Sequence, residues 1–258
     1  MKRERALVES RRNKLIETLK NNGHVKVADL AEAFHVSPLT IRRDLQYLED
    51  NKKLERFYGG ASIISEKALI PEDEVTYYRE LIARYAATLV EDGDTIFINT
   101  SSTALQMIKY ITGKRATVIT NNGKAIYTEH SPNISVILTG GELREVKEAM
   151  VGEFATNNLE RVSAKKSFIG CSGISPESGM TTELLNEVNI NQLMFRRATG
   201  PTYILADHTK IGKNSSFVSC SVNDIQNIIT DELADPLIIG ALTERGIHVY
   251  QVSKDQNY

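Results

Sequence analysis

The chain has 258 residues, 41% of them apolar and 25% charged, with a formal net charge of −2. These values suit one or two globular domains with enough mass for a buried core, and they exclude a disordered tail protein, a collagen or a disulfide miniprotein. No apolar run approaches the ~20 residues a membrane span needs. Met1–Glu9 shows no secretory leader. Cys171 and Cys220 lack metal-like spacing, so a cytoplasmic protein with reduced thiols, no metal, no cofactor and no membrane partner is expected. The charge is uneven. Residues 1–60 hold 13 Lys+Arg against 9 Asp+Glu, a charge of +4, and the remainder is −6. A basic head on an acidic body points to a polyanionic partner for the head.

In chain order, Leu15, Ile16 and Leu19 mark a first helix that Asn22-Gly23 would cap, and Leu30, Ala33 and Phe34 mark a short second one. Ser37 is a good N-cap and Pro38 a good first residue for a third helix. Its apolar stripe is Ile41, Leu45 and Leu48. Two helices joined by a tight turn form a helix-turn-helix. Leu54–Tyr58 with the Gly59-Gly60 turn is a candidate wing. The head is thus assigned to residues 1–62, with a linker over 63–75, where Pro71 and several acids cluster.

From residue 76 to 258 the rhythm is that of strand alternating with helix. Strands are expected at Thr95–Ile98, Thr117–Thr120, Ile134–Thr139, Ser167–Ile169, Tyr203–Ala206, Ile225–Thr230 and Ile247–Val252. Helical patterns fill about 76–91, 102–111, 123–130, 151–161, 183–198 and 235–245. This alternation predicts an α/β domain with a mostly parallel sheet and helices on both faces.

Rotating the third helix by ~100° per residue, with its stripe inward, turns Arg43 outward beside Leu39 and Gln46, flanked by Thr40, Arg42 and Tyr47. Arginine bonds a guanine edge bidentately, glutamine an adenine edge, and an aliphatic group meets a thymine methyl. Ser37 and Thr40 suit phosphates, as do Lys53 and Arg56 from the wing. The expected partner is double-stranded DNA. An Arg42-Arg43 pair that merely solvates the surface, neutralised by Asp44 or Glu49, is the plainer alternative.

In a parallel α/β sheet, ligands sit outside the carboxyl ends of the strands. Polar clusters fall there: Asn99 with Ser101, Ser102 and Thr103; Thr120 with Asn121; Gly140-Gly141-Glu142; and Asp207 with Lys210. Hydroxyls, an ammonium and close-approaching glycine backbone suit a polyol phosphate.

These residues resemble the DeoR family of bacterial transcriptional repressors. The head carries the likeness in Val36-Ser37-Pro38-Leu39-Thr40-Ile41-Arg42-Arg43-Asp44-Leu45 and Arg56-Phe57-Tyr58-Gly59-Gly60-Ala61. The body carries it in Asp94–Ile98, Thr120-Asn121-Asn122, Gly140-Gly141-Glu142-Leu143, Phe168-Ile169-Gly170, Gly179-Met180-Thr181 and Ala206-Asp207-His208-Thr209-Lys210. The resemblance spans about residues 9–250. It implies a winged helix-turn-helix, a sugar-phosphate sensor related in fold to ribose-5-phosphate isomerase, and a homo-oligomer, dimer or tetramer. Operator affinity would then answer to a phosphorylated sugar or polyol. Paired third helices would enter successive major grooves ~34 Å apart. The chain departs from the family's common Asp-x-Gly-Ser-Thr at Asn99 and Ser101, and has Lys165 where Asp is usual.

The isomerase-like body admits a rival reading, an enzyme with an appended head. Asp207, Glu142 and Glu183 would be its candidate bases and Lys210 its electrophile. The first strand end carries an amide instead of an acid, and the five histidines are scattered, so no catalytic residue is assigned.

Overall fold

The structure, a computed structural model, describes residues 8, 11–12, 14–19, 24–50, 54–57, 60–63, 72–145 and 147–256. The expected cap at Asn22-Gly23, the wing residues Lys53, Tyr58 and Gly59, and most of the expected linker lie outside them. The chain divides into two compact units, Met1–Glu72 and Asp73–Tyr258.

In the first unit, helix α1 covers 11–12 and 14–19 among the described residues. It is followed by β1 (His24–Lys26), α2 (Val27–Ala33), α3 (Pro38–Asp50), β2 (Leu54–Phe57) and β3 (Gly60–Ile63). Leu15, Leu19, Leu30, Ile41, Leu45, Leu48 and Leu54 form one buried cluster, as the stripe requires. β3 pairs antiparallel with both β2 and β1. The third strand, β1, was not expected, because three residues are too few for a period-two signal. α2 ends in a Schellman motif, with Val36 N bonded to Ala31 O and His35 N to Glu32 O. His35 occupies the left-handed position at φ 52°, a conformation that histidine tolerates better than most residues.

In the second unit, α4 (Glu72–Thr88) leads into a seven-stranded sheet. Its strands are β4 (Asp94–Ile98), β5 (Ala116–Thr120), β6 (Ile134–Leu138), β9 (Lys166–Gly170), β12 (Thr202–Leu205), β14 (Asn227–Asp231) and β15 (His248–Val252). They lie in the order β15-β14-β12-β9-β4-β5-β6, with every pairing parallel. Side chains alternate along each strand. Ile96 and Ile98 face a core shared with α4 and α5 (Ser102–Gln106). Phe97 faces the opposite core, shared with α6 (Glu153–Glu160), α7 (Leu185–Arg196) and α8 (Pro236–Glu244).

Strand order reverses at β4. β5 and β6 are added on one side of it, and β9, β12, β14 and β15 on the other. The crevice between β4 and β9 is therefore the topological switch point, where such sheets bind ligands. Two small additions complete the unit: a hairpin of β7 (Glu142–Arg144) and β8 (Ala149–Val151), and an antiparallel sheet of β10 (Gly173–Ser175), β11 (Gly179–Thr182) and β13 (Phe217–Cys220). Neither was expected. Their strands are three or four residues long, too short for a period-two signal, and β10 and β11 each begin with glycine. The stretch expected as helix over 123–130 is a short 3-10 turn, Gly123–Tyr127.

Candidate functional site

On α3 the side opposite the core exposes Leu39, Arg42, Arg43, Gln46 and Tyr47. Ser37 caps the helix, its Oγ accepting from Thr40 N at 3.2 Å and lying 2.9 Å from the Thr40 hydroxyl. Both hydroxyls therefore take part in the cap at the helix end. Asp44 is the buried member of the exposed motif, 2% exposed. Arg11 and Arg12 of α1 donate to its two carboxylate oxygens at 2.6 and 2.9 Å. Arg12 also lies 3.6 Å over the Tyr47 ring, a cation–π contact that holds the ring against α1. The partners of Asp44 are thus arginines of α1, and the carboxylate clamps α1 to α3. Sequence reasoning missed Arg11 and Arg12, because helix contacts 32 and 33 residues apart leave no local pattern. Arg56 lies on β2 opposite Ala61.

In the second unit a cavity of 410 Å³ opens at the switch point. Of the expected residues it brings together Asn99, Ser101, Ser102 and Lys210, with Arg79, Asn122, Lys124, Lys147, Glu183 and Glu187 added. Asn99 is 3% exposed. Its amide donates to Gly170 O at 2.9 Å and Asn191 Oδ1 at 3.0 Å, and accepts from Gly170 N at 3.0 Å and Ser101 N at 3.2 Å. The amide thus stitches β4 to β9 and to α7, and its hydrogen-bonding capacity is filled within the protein. A carboxylate in its place has no hydrogens for the Gly170 and Asn191 oxygens. Asn99 thus lines the cavity and also positions the strands around it. Ser101 packs so close to Gly170 that a Cβ there would stand 2.0 Å from its Oγ.

Several expected residues lie outside the cavity lining, each for a local reason. Thr103 is buried inside α5. Thr120 spends its hydroxyl on Asn122 N at 3.1 Å, and Asn121 holds Met150 of β8 through its side-chain donor at 3.1 Å and its carbonyl at 2.8 Å. Gly140 and Gly141 take φ of 69° and 111°, turning the chain from β6 into the β7–β8 hairpin. A Cβ on Gly141 would meet Val151 O at 2.5 Å. Glu142 is exposed on that hairpin and pairs with Arg144 at 3.1 Å. The two glycines thus serve the cavity at one remove, because the hairpin tip carries Lys147 to it. Lys147 lies 3.1 Å from Glu187, whose carboxylate also accepts from Thr100 at 2.8 Å and Thr182 at 2.6 Å.

Asp207 is fully buried beside the cavity. Arg79 donates to it at 2.7 Å, Lys210 lies 3.8 Å away, and Thr209 donates through both its backbone N–H and its hydroxyl. Burial raises this carboxyl, but Lys210, the Thr209 hydroxyl and Arg79 together hold it below the usual carboxylate range. Both oxygens of Asp207 are engaged and it stays ionised, which suits an anchor for cations more than a general base. Arg79 and Lys147 were not legible, since each arrives from a segment with no motif of its own.

Residues 75–232 match the model of the DeoR C terminal sensor domain, and residues 11–67 that of the DeoR-like helix-turn-helix domain. The chain belongs to the DeoR family. Among curated relatives of this DeoR-family chain, the uncharacterized HTH-type transcriptional regulator YulB of Bacillus subtilis is 34% identical over 95% of this chain and 97% of its own length. The lactose phosphotransferase system repressor of Staphylococcus aureus is 30% identical over 86% and 91%. Among solved structures, ribose 5-phosphate isomerase A from Methanocaldococcus jannaschii aligns at 15% identity over 52% of this chain and 54% of its own, with a TM-score of 0.38. The protein is accordingly a DNA-binding transcriptional regulator with an N-terminal winged helix-turn-helix and a C-terminal sensor domain. No helix among the described residues is long and apolar enough to cross a membrane.

Proposed function

We propose that this DeoR-family regulator represses a carbohydrate-utilisation operon as a homo-oligomer, and that a phosphorylated sugar or polyol in the switch-point cavity controls its grip on operator DNA. One observation carries the reading. Four cationic side chains, Arg79, Lys124, Lys147 and Lys210, converge with the Ser101 and Ser102 hydroxyls on a single cavity at the strand ends. Cations with hydroxyl donors suit phosphate, and the cavity is the size of a small ligand site. The relative named for the lactose phosphotransferase system supports a sugar as the controlling metabolite. Arg43 and its exposed neighbours on α3 would read the operator. Ser37, Thr40, Arg56 and Lys53 would hold phosphates.

The effector shifts the protein between operator-binding and operator-releasing populations by binding one of them better. A coupling of about 1–3 kcal/mol changes operator affinity about 5–150-fold. A screen of phosphorylated sugars and polyols tests this by thermal melting and by anisotropy of a labelled promoter fragment. One compound is expected to raise the melting temperature by mass action and to change operator affinity in that range. Lys210→Ala is expected to weaken both responses. If no phosphorylated sugar or polyol moved either signal, or if one were turned over at an enzyme-like rate, the sensor reading would fail.

A further inference from the structure

The positive charge of the cavity is divided between its two ends. At the end where β12 exits, the buried Asp207 gathers Arg79 at 2.7 Å and Lys210 at 3.8 Å. At the end where β4 and β5 exit, Thr100 anchors Glu187 at 2.8 Å, Glu187 holds Lys147 at 3.1 Å, and Lys124 follows β5. Each end therefore sets two cations against one buried carboxylate.

The middle is different. β9 lies between β12 and β4, and its exit carries Gly170, Cys171 and Ser172. Burial pushes the Cys171 thiol up to about 11, so it is neutral near pH 7. Glu183, an exposed carboxylate, lines the cavity beside it, and its backbone N–H donates to Ser172 Oγ at 3.3 Å. A carboxylate beside the middle repels a third anion and accepts from hydroxyl groups. β12 and β4 are two strand positions apart, and β12 and β5 three. At about 4.8 Å per position the charged ends are roughly 10–14 Å apart.

We infer that the ligand of this cavity carries an anionic group at each end of a neutral, hydroxyl-bearing middle, as in a sugar or polyol bisphosphate or a phosphorylated sugar acid. Lys147 and Lys124 receive one anion, Lys210 and Arg79 the other, and Glu183 and Ser172 face the hydroxyls. The inference rests on the sensor reading above and narrows it. A phosphorylated compound with one charged end fills half of the site. One with both ends gains through the effective concentration that links two binding events.

A chemical ruler tests this without knowledge of the natural effector. Straight-chain diols of increasing length, phosphorylated at one end or at both, are titrated into the full-length protein by calorimetry, with inorganic phosphate as a further probe. The bisphosphates are expected to bind roughly tenfold or more tighter than the monophosphates of equal length, with an optimum near the span of the two ends. Lys147→Ala is expected to remove that advantage and leave monophosphate binding within about twofold, while Lys147→Arg restores it. Inorganic phosphate is expected to report two cavity ions, one lost in Lys147→Ala and the other in Lys210→Ala. Melting curves without ligand separate lost binding from lost folding, and Lys124→Ala, on an exposed side chain, repeats the test at the same end. Equal affinity of mono- and bisphosphates at every length would overturn the inference. So would a single cavity ion indifferent to Lys147 and Lys124. If phosphorylated sugars fail to bind at all, the sensor reading falls with it. If monophosphates control operator binding as well as bisphosphates do, only the two-ended inference falls.

Discussion

The two units of this regulator carry their working surfaces in opposite ways. In the head, one contiguous helix, α3, supplies both the buried stripe and the exposed face, so the pattern that shows what is inside also shows what is outside. In the body, the cavity gathers side chains from α4, the exits of β4, β5, β9 and β12, the β7–β8 hairpin and α7. No single periodicity describes it. A surface built on one element is readable from local sequence. A site built where many elements converge is readable only as far as each segment has a signature of its own.

The comparison is sharpest where the head breaks its own rule. Its exposed face is held in place by the buried Asp44, which α1 clamps through Arg11 and Arg12. Asp44→Ala is expected to cost about 2–3 kcal/mol in the unfolding of the head. That is below the cost of breaking a fully buried pair, because the Arg11 and Arg12 side chains stay 21% and 24% exposed. Urea denaturation followed by circular dichroism would measure it, and an unchanged midpoint would mean that the clamp does not stabilise the head.

Next in size, Arg43→Ala is expected to lose about 1–3 kcal/mol of operator affinity and to relax base preference at one position. Effector-induced melting shifts of the body are expected to stay as they were. A binding-site selection beside the thermal screen reads both effects. The smallest expected effect belongs to the body. Gly170→Ala puts a methyl 2.0 Å from the Ser101 hydroxyl. Displacing Ser101 is expected to cost about 1–2 kcal/mol of stability and to weaken effector binding, with operator affinity in the absence of effector retained. Equal loss of operator binding in the Arg43 and Gly170 variants would erase the division of labour between the two units.

Much of the fold was legible because burial imposes a period. All seven strands of the main sheet lie within a residue or two of their β-branched runs, and α3 begins at the Ser37-Pro38 signal. The β7–β8 hairpin and the β10-β11-β13 sheet were not legible. Three- and four-residue strands repeat too few times to show alternation, and β10 and β11 start on glycines. At the site, strand-end position identified Asn99, Ser101, Ser102 and Lys210 as cavity residues. The same rule placed Thr120, Asn121, Gly140, Gly141 and Glu142 there as well, although they shape and attach the hairpin. Being at a strand end does not determine which way a side chain turns. Arg79, eight residues into α4, answers to Asp207 across 128 positions of sequence, and only the fold relates them.

The hairpin has a consequence for how such a sensor changes its taste. The floor of the cavity is welded into the sheet through Asn99 and Gly170, whereas Lys147 sits on an appendage that Gly141 launches and Asn121 fastens. Swapping the segment from 140 to 151 between relatives would therefore replace the wall that carries Lys147 and leave the Asn99–Gly170 floor in place. Under the sensor reading proposed above, exchanging that dozen residues is expected to change which metabolite is recognised, with the hydrophobic interior and the head kept whole.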